Sequence, residues 1–119
     1  MNYIISKHSS KIVYNYHPKT RDELEELINK LIKERGNEAN LNDIDTSAIT
    51  DMTGIFYNDD FNGDISGWDV SNVKNMSCAF ESSRFNGDIS NWNVSNVKDM
   101  LYMFEHCPIQ NNPPSWYKQ

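Results

Sequence analysis

A strict 24-residue period, a β-rich N-terminal run and one amphipathic stretch together predict an α+β fold. The expected architecture is a short leucine-rich-repeat-like solenoid of about three and a half 24-residue repeats, capped by an N-terminal β-hairpin plus helix. Residues 1–36 are the expected cap and residues 37–119 the repeats with a C-terminal cap, in one compact domain. A chain of 119 residues buries roughly two-thirds of its unfolded surface, enough for a core without disulfides or metals.

The cap elements come first along the chain. Tyr3, Ile4 and Ile5, then residues 12–16 (IVYNY), are β-branched and aromatic runs separated by polar residues 6–11, which reads as a hairpin. After Pro18, Thr20 and Glu23 make a capping-box pattern, and Leu24, Leu27, Ile28, Leu31 and Ile32 follow at helical spacing. Acidic residues crowd the early turns and basic ones the late turns, in keeping with the helix dipole. Gly36 is the expected stop.

The repeats follow. FNGDISGWDVSNVKNMSCAFE at 61–81 recurs as FNGDISNWNVSNVKDMLYMFE at 85–105. Subtracting the same offset finds a diverged copy, with Ile44 under Trp68 and Phe56 under Phe80. Adding it finds a partial one, with Trp116 under Trp92. A single unit is too small to bury its own apolar face, so Ile44, Phe56, Trp68, Phe80, Trp92, Phe104 and Trp116 are the expected core ladder. Ile65, Trp68 and Val70 read as inward positions of a short strand. Val73, Met76 and Phe80 read as one face of a short helix capped by Ser71 or Asn72. Asn62-Gly63 and Asn86-Gly87 read as turns. Pro113-Pro114 stops the ladder, and Trp116 is expected to close the last layer.

Charge narrows the function. Residues 1–36 carry a net +2 and residues 37–119 a net −8. Direct nucleic-acid binding needs a basic footprint, whereas an acidic face suits a basic protein surface. No run reaches the length of a membrane span, and the N-terminus has no apolar core of signal-peptide length. A cytoplasmic location is therefore expected, or the cell surface if a signal has been removed. Cys78 and Cys107 read as free thiols.

The phrase at 61–76 resembles the repeat of the BspA-like leucine-rich-repeat surface proteins, over roughly residues 41–116 and nearly word for word in the two central copies. The resemblance implies stacked repeats of short strands and helices. It also implies a family whose members are often long, exported adhesins, from which this chain departs in having few repeats. A short, self-capped copy is also similar to small proteins carried by phages and other mobile elements.

Searches for chemistry return little. His8, His17 and His106 have no metal-type spacing, and the adjacent pair His106 and Cys107 lacks an orienting acid. Asp43, Asp45, Asp64, Asp69 and Asp88 form no EF-hand pattern and read as a solvated strip of turn-bonding side chains. Gly54, Gly63, Gly67 and Gly87 compose no phosphate loop. No enzyme, cofactor or metal is expected. Outward positions Asn42, Asp45, Ser66, Asp69, Ser90 and Asn93 are expected to line up as one polar patch.

The expected function is a non-catalytic protein–protein interaction module presenting this acidic surface to a basic partner. Asp45, Asp64, Asp69, Asp88, Asn93, Tyr57 and Tyr102 are its candidate contacts. The two tyrosines read equally as exposed anchors or as core padding. A sharper alternative is a phage or mobile-element inhibitor of a nucleic-acid-handling defence enzyme, of anti-CRISPR or anti-restriction type, acting as a nucleic-acid mimic. A second alternative is a surface adhesin fragment. Oligomeric state is left open.

Overall fold

A computed structural model describes residues 4–5 and 12–118. β1 (Ile4–Ile5) and β2 (Ile12–Val13) pair antiparallel, Ile4 with Val13 and Ile5 with Ile12. The turn expected between them, with Tyr3 and His8, lies outside the described residues. Among the described residues the β-rich composition yields only these two-residue strands. They are no β-hairpin cap.

Helix α1 (Arg21–Arg35) follows. The Thr20 hydroxyl accepts the Glu23 N–H at 3.1 Å, and the Glu23 carboxylate accepts the Lys19 N–H at 2.8 Å. One first-turn donor, and the N–H of the residue before the cap, are thereby satisfied. At the other end Gly36 takes a φ of 94° and donates to the Ile32 carbonyl at 2.7 Å. Leu24, Ile28 and Leu31 form the buried stripe. They belong to one hydrophobic cluster with the repeat residues.

The repeat region overturns the α+β solenoid expectation. Among the described residues there is one α-helix, four strand residues and a single 3-10 turn at Pro108–Asn111. The radius of gyration, 13.7 Å, is close to the roughly 13.5 Å of a compact domain of this length. The chain is not a leucine-rich-repeat fold. Its 24-residue units are layers built from turns and isolated bridges, with parallel bridges joining Asn40 to Asp64, Asp51 to Asn75 and Asn75 to Asp99.

The expected short helix at Val73, Met76 and Phe80 is a ribbon of turns. The Ala79, Glu81 and Ser83 N–H groups donate to the carbonyls of Met76, Cys78 and Phe80, three residues back in each case. The intervening N–H groups leave the layer: Met76, Cys78, Phe80 and Ser82 donate to Asp99, Leu101, Met103 and Glu105 at 2.8–2.9 Å. Met52, Gly54, Phe56 and Asn58 donate in the same way to Asn75, Ser77, Ala79 and Glu81. A helix needs every N–H to turn back along its own chain. Here alternate donors point to the neighbouring layer.

The ribbon also needs left-handed residues. Gly54, Cys78 and Tyr102 share one column with φ of 58°, 59° and 60°, and Asn58, Ser82 and His106 share another with 55°, 58° and 57°. Each left-handed non-glycine residue costs roughly 1–2 kcal/mol, offset by the hydrogen bonds on either side. Ser71 and Asn72 cap no helix: Ser71 donates to Asp69, and Asn72 Nδ2 reaches back to the Ser47 carbonyl at 2.7 Å.

The expected strand is likewise a turn, closed by the Trp68 N–H on the Ile65 carbonyl at 3.1 Å. Ile65, Trp68 and Val70 are buried all the same. The Asn62-Gly63 turn is also corrected. Gly63 needs no positive φ; a Cβ there would collide with the Ala39 carbonyl oxygen and the Phe61 ring. Gly87 similarly lies under the Phe85 ring.

Aromatic rows run through the layers. Trp68, Trp92 and Trp116 stack at 6.5 Å between successive ring centres, tilted by 3° and 11°. Each indole N–H donates to a carbonyl 27 residues earlier, on Leu41, Ile65 and Ile89. Phe56, Phe80 and Phe104 stack at 5.4 and 5.7 Å. Ile44 closes on the Leu41 carbonyl as Trp68 does on Ile65. Burial thins toward the C-terminal end: Val70, Val73 and Met76 are buried, while Val94, Val97, Met100 and Trp116 are only half-buried.

Candidate functional site

The Asp and Asn candidate contacts each begin a tight corner of the chain. At every corner an Asp or Asn side chain accepts the N–H two residues on, an arrangement that short polar side chains favour. Asp64 Oδ1 accepts the Ser66 N–H and hydroxyl at 3.0 and 2.7 Å. Asp88 does the same with Ser90 at 3.0 and 2.6 Å, and Asp69 with Ser71 at 2.9 and 2.6 Å. Asp45 accepts from Ser47 and Asn93 from Ser95. The sequence signal is Asp/Asn-x-Ser/Thr recurring at 45, 51, 64, 69, 75, 88 and 93.

Three columns result: Asn40, Asp64 and Asp88; Asp45, Asp69 and Asn93; and Asp51, Asn75 and Asp99. Each holds two carboxylates and one amide, which dilutes like-charge repulsion between layers. Hydrogen bonds from Ser66 hold the Asp64 carboxyl below the usual carboxylate range. Ser90 does the same for Asp88, outweighing the opposing push of Asp64. Burial raises the Asp45 carboxyl, but Ser47 and His17 more than reverse it. His17 Nδ1 lies 3.3 Å from Asp45. Burial, then Asp45 and Asp69, push the Tyr14 hydroxyl up.

The structure thus brings Asp64 together with Asp88, and Asp45 with Asp69 around Tyr14. Tyr57 and Tyr102 lie elsewhere, on the ribbon, and are 57% and 53% exposed; they are not core padding. Leu101, 61% exposed beside Tyr102, was not singled out by the sequence, although it departs from Thr53 and Ser77 in its column.

Two expected surface residues are interior. Asn42 is 4% exposed, and its Oδ1 accepts the Gly67 N–H at 2.8 Å. The outward patch therefore lacks its first member. Asp43 is fully buried, gripped by both Arg35 terminal nitrogens at 2.9 and 3.0 Å and by Asn15 Nδ2 at 2.9 Å.

Asp88 and Ser90 also line a cleft of about 330 Å³ with Ile109, Pro113 and Pro114. The Cys107 thiol is interior, donating to the Phe85 carbonyl at 3.1 Å. Among the described residues no group of His, Cys, Asp and Glu is gathered to hold a metal ion, and no helix is long and apolar enough to cross a membrane.

Neither a curated protein nor a solved structure matches the chain. A family model does match, over residues 23–118, which takes in most of α1 and the layers. The match agrees in general terms with the BspA-like resemblance of the repeat. The chain belongs to the family described as "Mycoplasma protein of unknown function, DUF285".

Proposed function

We propose that this protein is a non-catalytic binding module, a BspA-like member whose acidic corners engage a basic surface on a partner protein. One observation carries the reading. Asp64, Asp69 and Asp88 are exposed, and each is anchored through a single carboxylate oxygen to the turn it begins. Anchored side chains lose little rotamer freedom on binding, so their attraction for Lys and Arg is not spent on ordering them. The net −8 of residues 37–119 adds long-range steering. The reading holds in either compartment, cytoplasm or cell surface.

The test is titration with a fluorescein-labelled nona-arginine peptide. Binding is expected to weaken about tenfold or more as salt rises past physiological strength, where the Debye length is only about 8 Å. The double variant Asp64→Asn with Asp88→Asn keeps the turn acceptors and removes two charges, so it is expected to bind more weakly at low salt. Salt-independent binding, or equal affinity in the double variant, contradicts the proposal.

A further inference from the structure

The cleft beside Asp88 has one wall from Asn86 to Ser90 and another from Asn112 to Pro114. The second wall is pinned on both sides. Ile109 is buried in the column of Phe61 and Phe85. Trp116 stacks on Trp92 and donates to the Ile89 carbonyl at 2.9 Å. Between these two anchors Pro113 takes the column of Ile65 and Ile89, yet those two are buried and Pro113 is exposed. The space next to Ile89 therefore stays open. Pro113 and Pro114 have no N–H with which to pair to the preceding wall.

The polar groups of the cleft are acceptors left over from the turns. Asp88 is the one charged residue in the lining. Its Oδ1 takes both Ser90 donors, and among the described residues nothing donates to Oδ2. Asn86 is in the same position. Asn62 Oδ1 accepts the Asn86 N–H at 2.8 Å, but the next N–H in that column, on Gln110, turns to the Cys107 carbonyl at 2.9 Å. Among the described residues Asn86 Oδ1 thus has no donor. Ile89, Ile109 and the two proline rings supply the apolar part of the lining.

We propose that this cleft receives one arginine side chain of the partner protein. The guanidinium meets Asp88 Oδ2 and Asn86 Oδ1, and the methylene stem lies against Ile109, Pro113 and Pro114. A guanidinium carries five N–H donors and no acceptor, and arginine covers its stem while its head stays at a polar rim. An anion is repelled by Asp88, and an apolar side chain leaves both acceptors desolvated and unpaired. A lysine ammonium is a more strongly hydrated point charge and gains less here. The inference rests on the binding of a basic partner proposed above, and adds which side chain enters and where.

The test is an NMR titration of the full chain, read at each backbone amide, with a blocked pentapeptide holding one arginine between glycines. Saturable shifts confined to the cleft, Gly87, Asp88 and Ser90 among them, are expected at millimolar peptide. The lysine and norleucine versions, and guanidinium chloride without a stem, are each expected to bind about tenfold more weakly. Asp88→Asn keeps the acceptor for Ser90 and removes the charge, and is expected to weaken the arginine peptide about fivefold. Asp64→Asn, at the equivalent corner outside the cleft, is expected to leave it unchanged. Absent shifts, or equal losses in the two variants, overturn the proposal. Tighter binding of free arginine than of the blocked peptide makes the occupant a free amino acid and also overturns it. Nona-arginine binding that weakens equally in both variants keeps the acidic-corner reading and ends this one. Cleft-confined binding of the single-arginine peptide beside salt-independent nona-arginine binding does the reverse.

Discussion

Replacing Trp92 by alanine probes the layered core at its centre. Trp92 is 5% exposed and lies between Trp68 and Trp116, 6.5 Å from each ring. Truncating a buried Trp removes transfer energy and leaves a cavity, together about 3–5 kcal/mol. The lost indole donor adds little. Its acceptor, the Ile65 carbonyl, still receives the Trp68 N–H at 3.1 Å, so no buried group is orphaned. Both stacking contacts vanish with the ring, which places the cost at the upper end, about 4–5 kcal/mol. The total stability expected for this length is roughly 6–18 kcal/mol, so the loss is severe. Trp116, half-buried at the open end, should cost about 2 kcal/mol as alanine, since less area returns to water. Trp92→Phe keeps the stack and should cost about 1–2 kcal/mol. Urea unfolding followed by the remaining tryptophans measures all three. A Trp92→Ala cost below about 1 kcal/mol, or one equal to that of Trp116→Ala, refutes the reasoning.

Other consequences follow from single sites. Arg35→Ala strands the fully buried Asp43 carboxylate and should cost about 3–5 kcal/mol in chemical unfolding. Burial raises the Asp43 carboxyl, yet Arg35 and Asn15 lower it further, so its folded pKa lies below the ordinary value. The stabilisation is therefore present above the usual carboxylate range and lost as pH falls through the folded pKa, and Arg35→Ala should flatten that acid limb. Asp59 has the opposite sign: burial and its neighbours Asp60 and Glu25 raise its pKa, outweighing the Phe61 N–H. The folded state then holds its proton more tightly, and stability falls as pH rises through that range. Asp59→Asn keeps an acceptor for Phe61 and should raise the melting temperature at neutral pH, a gain that melting curves should show fading on acidification. Gly63→Ala should cost about 3 kcal/mol by thermal unfolding, because the methyl meets the Ala39 carbonyl oxygen and the Phe61 ring.

The 24-residue spacing was legible because identical side chains in identical layers leave a direct periodic trace, as the Trp and Phe rows do. Helix α1 was legible because Thr20, Glu23 and Gly36 act locally. The strand and short helix assigned to each unit were not legible. Turns that close on the third residue back place Val73, Met76 and Phe80 at spacings that also fit a helix, and only the destination of alternate N–H groups separates the two. That destination lies in another layer. Gly54 and Asn58 did mark the left-handed columns, but Cys78, Tyr102, Ser82 and His106 at the same positions hid the mark. Gly63 resembled a turn glycine because Asn precedes it, whereas the Phe61 ring and the Ala39 carbonyl are what forbid a side chain. The acidic corners were found as residues but read as strand margins. The Ser or Thr two residues later was the available signal for their true role. Asn42 and Asp43 were misplaced because their partners, Gly67 and Arg35, are distant in sequence or come from the helix.

The alternation of hydrogen bonds between neighbouring layers is the point on which the fold depends. Scalar couplings across hydrogen bonds, measured by solution NMR, report it directly. Couplings are expected from the Met52, Gly54 and Phe56 amides to the Asn75, Ser77 and Ala79 carbonyls, and from Met76, Cys78 and Phe80 to Asp99, Leu101 and Met103. Couplings from those amides to carbonyls four residues earlier in their own segment would make the ribbon a helix and contradict the account.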